Sequence, residues 1–298
     1  MKPIVTGLTQ TQRERHAFLE MRAFFTGELR RIDIESRFGI KPAAASRDLS
    51  SYRDAAPANL DYDPVSRCYR PTGAFKAIYD FQSDRVLTWL LEGFGDGLEL
   101  GIKQAAPCEG AGRLVKPDLQ LLGVITRALC AKVAVRITYL SLSSGPMTRE
   151  IVPVALADNG LRWHLRAFDR ERRRFSDFVL TRISNVTALS QPVAEHELLV
   201  ADEQWARIVD FELVPHPSIQ WANAVEADYG MNNGVLKMKS RAALAGYVLR
   251  RWNIDSSPDH SLDAASHHLW LRNTQTLYGV ESAALAPGYV ATAVGQTK

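Results

Sequence analysis

Two groups of residues in this chain have types and spacing that suit contact with phosphates and bases. The first lies between Lys41 and Arg53, where a helical reading exposes Ala43, Ala44, Ser46, Arg47 and Ser50 and turns Ala45, Leu49 and Tyr52 inward. Short or hydrogen-bonding side chains are what a helix needs to enter a major groove. Arg47 suits bidentate contact with a guanine edge, and Lys41, Ser46 and Arg53 suit phosphate oxygens. The second group is Arg149, Arg166 and Arg182, on three separate candidate strands. Brought together, three guanidinium forks would make a phosphate-binding arrangement. Tyr139, Ser141 and His164 would then add stacking or hydrogen bonds to a base or ribose. Plainer roles stand beside these: Arg182 as the ion-pair partner of Asp177 or Glu150, His164 as a satisfied, partly buried histidine, Trp163 as core. The run Arg170 to Arg174 reads as a solvated turn.

The elements that must position the first group follow from periodicity and stop signals. Thr11 to Phe25 has apolar residues at helical spacing and ends at Thr26-Gly27. Ile32 to Phe38 forms a short helix closed by Gly39, a residue that tolerates the left-handed conformation of helix ends. Pro42 opens the helix to Asp54, because proline costs nothing in a first turn. Ala58 to Tyr69 then alternates around Asp63-Pro64-Val65-Ser66, the size and place of a wing that carries Arg67. Phe75 to Phe94 reads as a further helix, and Gly95 to Lys116 as a linker.

The second group sits where the period changes to two. Asp118 to Lys132 reads as a helix with Asp118 as N-cap. Ala134–Leu140, Thr148–Ala155, Arg162–Phe168 and Phe175–Leu180 read as short strands that suggest a small barrel. A last helix is expected near Arg241 to Trp252.

Size and composition bound the answer. The 298 residues, 46% hydrophobic and 23% charged, allow two or three globular domains. The net charge of +3 is small, yet residues 1–53 hold ten Lys/Arg against six Asp/Glu, and residues 130–190 hold ten against five. Cys68, Cys108 and Cys130 are far apart and form no metal or disulfide pattern. No apolar run reaches the ~20 residues of a membrane span and no secretory signal opens the chain, so the expected location is the cytoplasm. No cofactor is expected.

Across Arg136 to Val186, the chain resembles the WYL-domain family. The resemblance is carried by Ile137-Thr138-Tyr139-Leu140-Ser141, Ser144-Gly145, Arg149-Glu150-Ile151-Val152-Pro153, Arg162-Trp163-His164-Leu165-Arg166-Ala167 and Leu180-Thr181-Arg182-Ile183. Trp163-His164-Leu165 stands where the family has Trp-Tyr-Leu, a departure typical of the winged-helix repressors of bacterial phage-defence islands, the CapW/BrxR group. Pro215-His216-Pro217, Asp228-Tyr229-Gly230-Met231, Ala45-Ser46-Arg47-Asp48-Leu49 and Ala56 to Asp63 also resemble that group.

The resemblance implies an α+β chain: a winged helix-turn-helix with linker helix over 1–95, an Sm/SH3-like β-barrel (WYL) with its preceding helix over 118–192, and a C-terminal α/β dimerisation extension over 193–298. It implies a homodimer on an inverted-repeat DNA operator, repressing a phage-defence operon and released by a nucleic-acid fragment or nucleotide at the barrel. Two alternatives stay open. One is an activator of the same architecture. The other is a ligand-activated nuclease or nucleotide hydrolase, although the chain has no Gly-rich phosphate loop, His-Glu-x-x-His or nucleophile elbow, and residues 130–190 lack a carboxylate cluster.

Overall fold

A computed structural model describes residues 7–92, 108–110 and 114–291. The chain divides into two compact units, residues 1–112 and 113–298. Most of the linker expected over Gly95 to Lys116 lies outside the described residues, as does Phe94 at the end of the helix expected from Phe75.

The first unit opens with α1 (Gln10–Thr26), whose N-cap Thr9 and Gln12 satisfy each other's backbone amides in a capping box. α2 (Arg31–Phe38) ends at Gly39, φ +61°, where a side chain would be strained. α3 (Pro42–Ala55) follows with proline in its first turn. β1 (Leu60–Asp63) and β2 (Cys68–Pro71) form an antiparallel hairpin, and Leu29 adds a third rung by exchanging two backbone hydrogen bonds with Tyr69. Leu19, Ala23, Leu29, Ile34, Ala45, Leu49, Tyr52 and Leu60 form the core.

Helix does not begin at Phe75. Helix α4 spans Ser83–Glu92, and the segment before it is held by side chains. The buried Glu20 carboxylate accepts from the backbone N–H groups of Ile78 and Tyr79 at 2.9 and 2.8 Å, and Asn59 brackets Lys76 through both its N–H and its carbonyl. Those side chains replace the partners that a helix would have supplied.

The second unit begins with α5 (Leu119–Ala131), whose N-cap Asp118 accepts from the amides of Gln120 and Leu121. Next come β3 (Val135–Ser141), β4 (Gly145–Asp158), β5 (Trp163–Asp169), β6 (Arg174–Val179) and β7 (Ile183–Ala188), all antiparallel in the order β6-β5-β4-β3-β7. The sheet is open rather than a hydrogen-bonded barrel. Its edge strands β6 and β7 are joined only through the 3-10 turn Leu180–Arg182. Pro153 interrupts a central strand at the one place that tolerates it: the register slips between Pro153 and Ala155, so the missing N–H falls at a bulge. Ile125, Ile137, Ile151, Leu165 and Phe178 pack on one face, and Val152, Val154 and Phe168 on the other. Burial on both faces explains why β5 is apolar or buried almost throughout instead of alternating.

After α6 (Glu203–Ala206), β8 (Ile208–Pro215), α7 (Ala222–Asp228), β9 (Leu236–Arg241), α8 (Ala242–Arg251) and β10 (Leu269–Leu271) complete the same unit, with a second sheet ordered β10-β8-β9. Its core gathers Phe211, Leu213, Leu249, Ile254 and Leu277. Among the described residues, no helix is long and apolar enough to cross a membrane.

Candidate functional site

The outward face of α3 is fixed by what holds its inward face. Asp48 is buried and takes a bidentate hydrogen bond from Arg15 of α1, at 2.6 and 3.2 Å. Tyr52 donates its hydroxyl proton to Glu20 at 2.8 Å and accepts from Asn59 at 3.0 Å. Burial drives the Tyr52 phenol well above its ordinary pKa, so the hydroxyl remains a donor. With those anchors inside, Lys41, Ala43, Arg47, Ser50 and Arg53 are exposed, and Ala44 and Ser46 are half-buried. Ala43, Arg47 and Ser50 fall at i, i+4 and i+7 on one stripe. Among the described residues Arg47 has no ion-pair partner.

The wing is built for rigidity at its tip. Asp63 accepts from the Val65 and Ser66 amides and from the Ser66 hydroxyl. Arg67 takes a left-handed conformation, φ +52°, and is exposed beside Val65, which is 92% exposed. Arg53 lies over the Tyr69 ring at 5.6 Å, so the end of α3 is packed on the hairpin.

In the second unit, the three arginines of the β-rich region do not meet. Arg149 is nearly buried and pairs with Asp169 and Glu171. Arg166, 4% exposed, forks onto Asp202 at 2.7 and 3.0 Å and reaches Asp177 at 3.2 Å. Those guanidinium groups are spent inside the fold. Ser141 is likewise committed, its Oγ accepting from the amides of Ser143 and Ser144 in the β3–β4 turn. Arg182 makes neither expected pair: Asp177 is taken by Arg166 and by the Tyr247 hydroxyl, and Glu150 by Arg136. Trp163, 38% exposed at the start of β5, is not core. Arg170, in the turn read as solvated, is tied to Glu197, Gln191 and the Pro192 carbonyl.

Tyr139, His164 and Arg182 do share a cavity, of about 280 Å³. Its other charged lining is Arg162, Asp177, Arg250 and Arg251. The His164 and Tyr247 rings pack at 5.0 Å between centroids, tilted by 43°. Burial, opposed by Asp177 and helped by Arg162 and Arg182, pushes the His164 imidazole below its ordinary pKa, so it faces the cavity as a neutral donor and acceptor. A larger cavity of about 410 Å³ lies on the far side of Arg166. Arg173, Arg174 and His196 there oppose Glu203 and Glu281, a mixed lining with no sign preference. Among the described residues, no three His, Cys, Asp or Glu side chains are placed to hold a metal ion.

Sequence reasoning missed Arg162, Tyr247, Arg250 and Arg251. The signal for the last three was present, since Tyr247, Arg250 and Arg251 stand at i, i+3 and i+4 on one face of α8. What it lacked was the knowledge that α8 packs against the five-stranded sheet.

Family models match the chain in three places. Residues 11–92 match the BrxR transcriptional regulator winged helix-turn-helix domain, residues 120–188 the WYL domain, and residues 208–277 the BrxR transcriptional regulator C-terminal dimerization domain. Three curated relatives carry the description DNA-binding transcriptional repressor CapW. The protein from Escherichia coli (strain KTE188) is 30% identical over 90% of this chain and 91% of its own length. That from Pseudomonas aeruginosa is 32% identical over 82% and 83%. That from Stenotrophomonas maltophilia is 31% identical over 86% and 88%. The chain therefore belongs to the CapW/BrxR family of WYL-domain transcriptional regulators.

Proposed function

We propose that this chain is a non-enzymatic, homodimeric repressor that binds a short inverted repeat in double-stranded DNA and is released when a nucleic-acid fragment or nucleotide occupies the basic cavity of its second unit. The observation that carries the DNA-binding half is the face of α3. Ala43, Arg47 and Ser50 stand outward beside a wing, flanked by the half-buried Ala44 and Ser46, with the inward face locked by Arg15–Asp48 and Glu20–Tyr52. Arg47 reads a base edge, Lys41, Ser46 and Arg53 hold phosphates, and Arg67 reaches the backbone from the wing. One such head reads too few base pairs for specificity, which is the reason for a dimer on a repeat. The relatives' description as repressors favours repression over activation, and the family resemblance points to a phage-defence operon as the target.

For the ligand, the reading rests on Tyr139, His164 and Arg182, which line one cavity with arginines on its walls. Ser141, Arg149 and Arg166 are removed from the ligand set because their polar atoms are already engaged within the fold. The test is a mobility-shift titration on the DNA upstream of the protein's own gene, with and without 5′-phosphorylated oligonucleotide. Retarded complexes that disappear on adding the oligonucleotide are expected. A protein that never shifts that DNA, or that cleaves it, would overturn the reading.

A further inference from the structure

We propose that the basic cavity is a composite site in which α8 of the C-terminal region supplies half of the cationic wall, and that it selects a ligand carrying at least two phosphate groups. This deepens the ligand-sensing reading and rests on it. Arg162 and Arg182 come from turns bordering the five-stranded sheet, the β4–β5 turn and the 3-10 turn Leu180–Arg182, and Arg250 and Arg251 from the last turn of α8. Among the described residues, no carboxylate forms an ion pair with any of these four groups. The single acid in the lining, Asp177, is engaged by Arg166 and by the Tyr247 hydroxyl. Four like charges facing one small space repel each other, and an anion entering that space relieves the repulsion.

Four guanidinium forks offer more donors than one orthophosphate needs, and two linked phosphates can accept from more of them, each fork giving charge-assisted hydrogen bonds. A cavity of about 280 Å³ holds the phosphorylated end of a nucleotide and leaves a longer strand to project outward. The sheet is shaped to admit α8 here. Gly160, φ +81° in the β4–β5 turn, lies so close to Arg251 that a Cβ would meet its Nη1 at 1.6 Å. Tyr247, one turn back on α8, is hydrogen-bonded to Asp177 and packed on His164. Ligand at this site therefore grips the WYL sheet and the C-terminal region at once, which gives occupancy a route to the element matched as a dimerization domain.

The test uses the full chain and calorimetric titration with inorganic pyrophosphate, orthophosphate, a nucleoside triphosphate and a 5′-phosphorylated dinucleotide. Pyrophosphate should bind at least about tenfold tighter than orthophosphate, the ratio expected for one added charge-assisted hydrogen bond. Arg250→Gln with Arg251→Gln, both on the exposed end of α8, should erase that advantage without lowering the melting temperature. Arg173→Gln with Arg174→Gln, outside the cavity, should leave it intact. Equal affinity for the two inorganic anions, no binding of any probe, or full pyrophosphate affinity in the α8 variant would each overturn the proposal. Lost pyrophosphate binding with operator release unchanged would uphold the composite site and sink the sensing role. Retained binding in the α8 variant, with release abolished by Arg182→Gln, would do the reverse.

Discussion

Arginine serves opposite ends in the two units. On α3, Arg47 is exposed and has no ion-pair partner among the described residues, while Arg15 holds the helix from behind through Asp48. In the second unit, Arg166 is buried and Arg149 nearly so, both paired, while Arg162, Arg182, Arg250 and Arg251 line a cavity and, among the described residues, have no carboxylate partner. A guanidinium with its partners inside the fold is structural, because removing it strands buried carboxylates. A guanidinium left without partners is available for an external anion. Residue type and local charge do not separate these classes; only the position of the nearest acid does.

The sharpest way to break that distinction is Arg166→Ala. It leaves Asp202 buried and Asp177 short of a partner, so the second unit should lose about 3–5 kcal/mol in urea unfolding, as for a broken buried ion pair. A loss under about 1 kcal/mol would place Arg166 with the available arginines. Arg47→Ala should leave stability unchanged and weaken operator binding by ~1–3 kcal/mol, with relaxed preference at one base position. Binding as tight as wild type across a salt series would remove Arg47 as a reader.

A smaller effect concerns a buried base in the first unit. His16 is fully buried and, among the described residues, has no hydrogen-bond partner on either ring nitrogen, and burial holds its pKa below the ordinary 6.5 despite Asp48 nearby. Its folded pKa is depressed, so the unfolded chain binds the proton more readily. Stability is therefore complete above about pH 6.5 and declines as pH falls below it, by at most ~1.4 kcal/mol per pH unit. His16→Leu should flatten that decline in the unfolding of the first unit. An unchanged pH profile would mean that the imidazole is not the proton acceptor. The smallest expected change is for Lys41→Ala, which should weaken all DNA sequences alike and lower the salt slope by about 1.

The helix-turn-helix was legible because it is local. Gly39, Pro42 and the small-and-basic face of α3 fall within 17 residues, and each signal acts through backbone geometry or helical spacing. The wing announced itself through Asp63 to Ser66 for the same reason. The segment from Phe75 to Gln82 misled because its apolar spacing resembled a helix. Glu20 and Asn59, distant in sequence, claim its amides instead. The cavity was half legible. Tyr139, His164 and Arg182, grouped from the sequence, do line one cavity, but its walls come from segments as far apart as Tyr139 and Leu285. Arg166 read as a ligand residue alongside Arg149 because its carboxylate Asp202 lies 36 positions away, beyond any local pattern.

The separation of reading from sensing is tested most directly by one operator titration, run with and without 5′-phosphorylated dinucleotide, on wild type, Arg47→Ala and Arg182→Ala. Wild type should bind tightly and lose affinity by roughly 5- to 150-fold with ligand, the range of a 1–3 kcal/mol coupling. Arg182→Ala should match wild type without ligand and fail to respond to it, while Arg47→Ala should bind weakly yet keep the same proportional response. Equal ligand sensitivity in wild type and Arg182→Ala, both shown to be folded, would contradict the account and move the sensing site away from this cavity.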